Sequence, residues 1–358
     1  MKTIAYYISD YGFGHATRSI ALIRELFRVN GELKVIVCHT FAMDFIKESL
    51  VGLNVDYRQV EADIGYVLKP NSMEPDVTAI EGKYLEFTRN WNYRLEVEKD
   101  FLIGHQVDVV LSDISPLPFI PASELDVTSI GISNFTWYTA YKGLVSEGYL
   151  DIFKNAYEKT DYFIGLASTD EHLWGECNGG FGFMSRRADE AEVKQILERV
   201  NPKKEKTIVY FGLGMKIDVD AVKNLKLWDS EDCVFLVSSN MDIDRDNVYK
   251  IPRDYTESQH YVAASDIVIS KAGWSTVSEA VLFGKPLIVL DRNVMNEDKH
   301  TAGYLEEMQH VKLVSWRELL ELTITNELKA ELGEQKVGQV GNDVGRIAGE
   351  VWGILEES

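Results

Sequence analysis

A chain of 358 residues, 45% hydrophobic and 26% charged, has globular composition and is long enough for two cores. Its formal net charge of −20 argues against nucleic acid as a partner and against docking on an anionic membrane. Three widely spaced cysteines, Cys38, Cys177 and Cys233, make neither a disulfide framework nor a metal cluster, so a reducing, cytoplasmic setting is expected.

The first apolar run ends at Ser9-Asp10, too short for a signal-peptide core, and reads as a buried strand over residues 3–9. Further β-branched runs follow at 33–38, 55–60, 107–112, 127–133 and 162–167. Most lack polar alternation, as strands do in a parallel sheet covered on both faces. Helical patterns lie between them, at 16–29 and as one long helix at 77–104. The segment "ECNGGFGFMSRRADE" (176–190) interrupts the rhythm, and a second series of strands follows at 207–211, 233–237, 267–270 and 286–290. The predicted division is a first domain at 1–185, a linker region at 186–202, a second domain at 203–336 and a tail at 337–358. Val337, Val340, Val344, Ile347, Val351 and Leu355 make the tail an amphipathic helix that must pack on something, such as the junction of the two domains. The expected class is α/β, with two doubly wound, Rossmann-like domains facing a central cleft. Ligands of such sheets bind at the carboxyl ends of the strands.

The first glycine-rich turn, "DYGFGHATR" (10–18), does not complete a dinucleotide fingerprint. Thr17 stands where a third small residue belongs, and Cys38-His39 where an acid would hold the ribose. His15 falls instead at the first residues of a helix, where the dipole disfavours the imidazolium and leaves a neutral base. Taken alone, His15 reads first as a residue that caps or fills the turn. Asp113 ends another strand of the same sheet, where it either caps a helix or fixes the tautomer of an imidazole. Paired on one sheet edge, the two read as catalytic.

The most specific stretch is "SDIVISKAGWSTVSEAVLFGKPLIVLD" (265–291), a strand, a glycine turn, a helix and a strand. Gly273 admits close approach, Ser275 and Thr276 open the helix as an anion pocket, and Glu279 suits ribose hydroxyls. The alternative is that Thr276 and Glu279 form a capping box. Gly212 and Gly214 follow the first strand of the second domain, where bare amides can face an anion. Asn296, Glu297, Asp298 and Lys299 open a later helix, with surface solvation as their default reading. Asp218/Asp220 and Asp242/Asp244 have the spacing of metal-binding acids but no histidine cluster, and no metal is expected. Tyr84, Trp91, Tyr93, Trp137, Tyr138 and Tyr141 read as an aromatic interior, the alternative being stacking on an acceptor.

Together these motifs resemble the two-domain GT-B nucleotide-sugar glycosyltransferases. The likeness is to the branch with the peptidoglycan lipid-intermediate N-acetylglucosaminyltransferase and the antibiotic and plant UDP-glycosyltransferases. "GFGHATRSIALIREL" also resembles proteins labelled glycosyltransferase or teichoic-acid biosynthesis protein, which implies cell-envelope polysaccharide. Both it and "SDISPLPFIPASELDVTSIGISNFTWYTAY" resemble the non-kinase N-terminal region of plant arabinokinase. The resemblance implies that His15 is the base and Asp113 its orienting acid. It implies that Gly273, Ser275, Thr276 and Glu279 hold the diphosphate and ribose, with Gly212 and Gly214 facing phosphate. The same family likeness sets the backbone near Tyr255 against the uracil edge, and Gly14 and Lys271 are further candidate donor contacts, Lys271 as a helper for the leaving diphosphate. Asp298-Lys299 stands where members often carry a glutamine pair for the donor sugar.

The expected activity is metal-independent, inverting transfer of a sugar from a UDP-sugar, the co-substrate, to an acceptor hydroxyl, with no separate cofactor. The alternatives are a nucleotide-sugar hydrolase or 2-epimerase on the same fold, and a nucleotide-sugar-binding protein without turnover.

Overall fold

The computed structural model describes all residues except 71, 173, 177–179, 215–219, 293–294, 336–339 and 358, and omits the side chains of 220 and 221. Cys177, Asp218 and Val337 thus lie outside the described residues, as does the side chain of Asp220. The chain forms two units, one of Met1–Leu68, Pro75–Gly182 and Asp343–Ser358, the other of Lys69–Glu74 and Phe183–Asn342.

The first unit is built on six strands: β1 (Lys2–Ile8), β2 (Leu33–His39), β3 (Val55–Gln59), β4 (Val109–Asp113), β5 (Thr128–Ser133) and β6 (Tyr162–Gly165). Their order is β3-β2-β1-β4-β5-β6, and every neighbouring pair is parallel. In β1 every residue from Thr3 to Ile8 is buried, which explains why its sequence shows no polar alternation. The order reverses between β1 and β4, where Ile8 lies opposite Asp113.

The second unit repeats the plan with β7 (Thr207–Gly212), β8 (Cys233–Ser238), β9 (Val248–Ile251), β10 (Ile267–Lys271), β11 (Leu287–Leu290) and β12 (Val311–Val314). Their order is β12-β11-β10-β7-β8-β9, again parallel throughout, with the reversal between β7 and β10. β9 and β12 are additional to the strands expected from the sequence. Both are four-residue edge strands, each with a lysine inside, and half-solvated edges carry a weak apolar signal.

Three helical expectations need correction. The single helix expected over 77–104 is two helices, Val77–Arg89 and Trp91–Gly104. They break at Asn90, whose backbone leaves the helical region and whose side chain favours ends over interiors. The helix expected from residue 16 begins at Phe13, because Gly12 takes φ 78° and turns the chain directly into it. The tail helix begins at Val344, not 337. Before it, Asn342 bonds the backbone of Ser185 and Asp343 accepts from the Gly182 amide, so these two side chains tie the start of the helix to residues 182 and 185.

The tail helix belongs to the first unit and packs along the helix Phe13–Val29. Val344, Ile347, Val351 and Leu355 are buried on one face. No described helix is long and apolar enough to cross a membrane. Ile347, fully buried, makes a direct test of this packing. Ile347→Ala should cost about 3 kcal/mol, read as a lowered urea midpoint.

Candidate functional site

At the reversal in the first unit, β1 runs through Gly12 into the helix Phe13–Val29, which places His15 in its first turn. Asp113, the last residue of β4, lies beside it, with His15 Nδ1 3.1 Å from Asp113 Oδ1. Both are buried. The sequence motifs did not single out Arg18, one turn further along the helix and 2% exposed. Its Nε donates to Asp113 Oδ2 at 2.7 Å and its Nη2 to Asp113 Oδ1. Nη1 donates to Asn134 Oδ1 and Nη2 also to Ser133 Oγ, both at 3.0 Å. Ser19 Oγ donates to Asp113 Oδ2 at 3.3 Å.

Counting hydrogens decides the tautomer of His15. Both hydrogens of Arg18 Nη2 are taken, by Asp113 Oδ1 and Ser133 Oγ. Its 3.0 Å approach to His15 Nδ1 is therefore not a third bond. Nδ1 must then carry the hydrogen it donates to Asp113, since two lone pairs would otherwise face each other. The Nε2 lone pair is left as the basic one.

Electrostatics agree with that state. Burial lowers the His15 pKa most, Asp113 partly opposes this and Arg18 lowers it again, so the ring is neutral near pH 7. Burial alone would push the Asp113 carboxyl up, but attraction and hydrogen bonds from Arg18 and His15 outweigh it and hold it well below the usual range. A buried pair that loses one partner leaves an uncompensated charge. Asp113→Ala should therefore cost about 3 kcal/mol, measured by urea unfolding at pH 7.

Asp10 and Asp63, also unforeseen, brace the same edge. Asp10 Oδ1 accepts from the Thr40 and Phe41 amides at 2.8 and 3.1 Å, tying the loop after β2 to the turn before His15. Asp63 is 1% exposed, with Oδ1 accepting from the Asp10 amide and Oδ2 without a hydrogen-bond partner. Burial, then the Asp10 charge, pushes its pKa up to about 8. The folded chain thus keeps a proton that the unfolded chain releases near pH 4. That contribution is complete below about pH 4 and is lost as pH rises to about 8. The loss should reach about 1.4 kcal/mol per pH unit. Melts of Asp63→Asn should lack this slope, so its advantage over the wild type grows between those limits.

The aromatic residues divide. Tyr84, Trp137 and Tyr141 are fully buried and Trp91 nearly so, whereas Tyr93 is 72% exposed. Trp137 stacks on Tyr141 with centroids 5.0 Å apart, and Phe135 joins that cluster to the His15 ring at 6.0 Å. Gly14 is exposed in the first helical turn, its carbonyl accepting from Thr17 Oγ1 at 2.9 Å.

At the reversal in the second unit, the ends of β7 and β10 lie side by side, with Ser270 opposite Gly212 and its Oγ donating to Gly212 O at 3.0 Å. Gly214 turns the chain after β7 at φ 95°. A Cβ at Gly214 would stand 3.3 Å, and one at Gly273 3.1 Å, from Lys271 Cε, so these two glycines make room for the lysine stem. A Cβ at Gly212 would stand 2.6 Å from Tyr210 Cε1, so this glycine accommodates that ring. Trp274–Leu282 is the helix, with Gly273 as N-cap and no side-chain cap. Ser275 and Thr276 lie in its first turn.

The capping-box alternative is thereby corrected. The N-cap is Gly273, three residues before Thr276, and Glu279 faces Arg186 Nη2 at 3.3 Å. Arg186, within a segment read only as charged linker, also donates to Thr256 O and Ser258 Oγ. Burial raises the Glu279 pKa against the pull of Arg186. Asp298 departs from the solvated reading, being 2% exposed and held by the Arg292 guanidinium at both carboxylate oxygens. Arg292, just past β11, carried no sequence signal beyond its neighbour Asp291. The Tyr255 amide donates to Pro252 O at 3.1 Å and its hydroxyl meets His260 Nδ1 at 2.7 Å. Asp242 pairs with Lys223, and among the described residues no three His, Cys, Asp or Glu side chains converge as a metal site requires.

Comparison with known proteins gives two kinds of likeness. Residues 239–339 match the glycosyltransferase family 28 C-terminal domain. Along 376 aligned residues the chain is 27% identical to L-arabinokinase of Arabidopsis thaliana, covering 99% of this chain and 34% of that protein. The chain thus spans about a third of that relative's length. Among solved structures, the calicheamicin glycosyltransferase CalG4 superposes with a TM-score of 0.64 at 14% identity, over 99% of this chain and 98% of that one. UGT2 of Phytolacca americana, complexed with UDP-2fluoro-glucose and pterostilbene, gives 0.59 at 12% identity over 100% and 94%.

Proposed function

From the GT-B fold and the family 28 C-terminal domain that these matches assign to the chain, we propose that it is a metal-independent, inverting glycosyltransferase using a UDP-sugar and an acceptor hydroxyl. The observation that carries this reading is the buried His15–Asp113 pair, whose hydrogen-bond partners assign the hydrogen to Nδ1 and leave the basic lone pair on Nε2. Donor class is supported by the turn and helix N-terminus at the β7/β10 reversal and by the fold shared with a structure that holds UDP-2fluoro-glucose.

In this reading the first unit holds the acceptor and the second the donor. His15 Nε2 takes the acceptor proton as the hydroxyl oxygen attacks the anomeric carbon from the face opposite the diphosphate. The bond from that carbon to the diphosphate oxygen breaks, and UDP leaves with the electron pair. Asp113 stabilises the imidazolium that forms. Charge growing on the diphosphate is met by the amides at Gly273, Ser275 and Thr276, by the Gly212–Gly214 turn and by the Lys271 ammonium. Glu279, aligned by Arg186, holds the ribose. Asp298, oriented by Arg292, faces the sugar. Gly14 gives the donor close approach, and the backbone near Tyr255 borders the uracil.

His15→Ala should lower transfer by about 10²–10⁴-fold while calorimetric binding of UDP persists. Transfer near the wild-type rate would remove His15 from the role of base. Incubation with UDP-glucose alone separates the readings further, because UDP release or a new epimer without acceptor would mark a hydrolase or epimerase.

A further inference from the structure

We propose that Arg18 is the positioning residue of the His15–Asp113 pair. Its planar fork clamps the carboxylate so that it accepts from Nδ1, and its fixed charge opposes a second positive charge on the imidazole. This deepens the transferase reading and rests on it for the word base, though the clamp itself stands on geometry alone.

Arg18 meets Asp113 through two different nitrogens on two different oxygens, which a lysine ammonium cannot reproduce. Its remaining bonds, to Asn134 and Ser133 at the end of β5, anchor the fork from the far side. The guanidinium is thus held between the carboxyl ends of β4 and β5 and the first turn of the helix after β1. With two hydrogens of one nitrogen already committed, the arrangement admits one tautomer of His15.

The charge balance points the same way. Asp113 and Arg18 already neutralise each other, both almost wholly buried. A proton on His15 would leave this buried cluster with a net positive charge. Without Arg18 the same proton would instead complete a neutral ion pair with Asp113. The other polar groups facing the cluster are His39 at the end of β2, which also disfavours the imidazolium, and the Tyr6 hydroxyl on β1, which lies near Asp113 and Arg18. Neither replaces the guanidinium charge.

The test is a ¹⁵N NMR titration of the His15 ring in the full chain, which needs no turnover. The wild type should show the Nδ1–H tautomer and a midpoint below that of an ordinary histidine. Arg18→Met, which keeps a long stem without charge, should raise the midpoint by about one pH unit or more. Arg18→Lys keeps the charge and loses the fork, so its midpoint should stay with the wild type while the Nδ1–H population falls. A midpoint unchanged in Arg18→Met overturns the proposal. If that variant does not fold, Arg18→Lys decides, and wild-type tautomer populations there overturn it. Failure to release UDP from UDP-glucose with any acceptor would instead count against the transferase reading, leaving the titration result standing.

Discussion

The reversal of strand order in each parallel sheet is the constraint on which the rest depends. Strands on either side of β1/β4 and of β7/β10 are wound in opposite directions, so their following helices diverge and leave the strand ends uncovered. His15 and Asp113 stand at the first reversal, Ser270, Lys271 and the glycine turns at the second. A parallel sheet buries nearly everything else on both faces. Chemistry therefore collects where the winding changes hand.

The two reversals are equipped differently. The first carries side-chain chemistry in a dry setting: an imidazole, a carboxylate and a guanidinium, each at most 8% exposed. Such a cluster is costly to desolvate and tolerable only when every lone pair and hydrogen is matched. Here Asp113 accepts four bonds, two at each oxygen. The second reversal relies on backbone, with a glycine N-cap that brings no capping side chain to the helix start and two glycines that clear the stem of Lys271. Backbone amides and a helix dipole attract an anion without requiring a buried charge.

Supporting charges obey the same logic. Arg186 beside Glu279 and Arg292 around Asp298 each neutralise an acid that has been taken out of water. Asp63 meets the charge of Asp10 rather than a cation, and holds its proton to higher pH instead. Among the described residues, each buried acid either faces a cation or holds its proton, as a low-dielectric interior demands.

Much of this was written locally. Unbroken apolar runs announced ten of the strands and hence a doubly wound α/β chain, because burial on both faces erases polar alternation. Gly12, His15, Asp113, Gly273 and Glu279 stood out because turns and helix starts have their own residue chemistry. Edge strands such as Val248–Ile251 did not, since half their surface is solvated and lysine interrupts them. Nor did Arg18, Arg186 and Arg292 reveal their roles. Arg18 and Asp113 are 95 residues apart, and Arg186 and Glu279 are 93 apart. Sequence spacing determines which residues share a strand end or a helix turn. Which charge neutralises which is decided only when the sheets close, because that choice depends on burial and on distances across strands that are not neighbours in the chain.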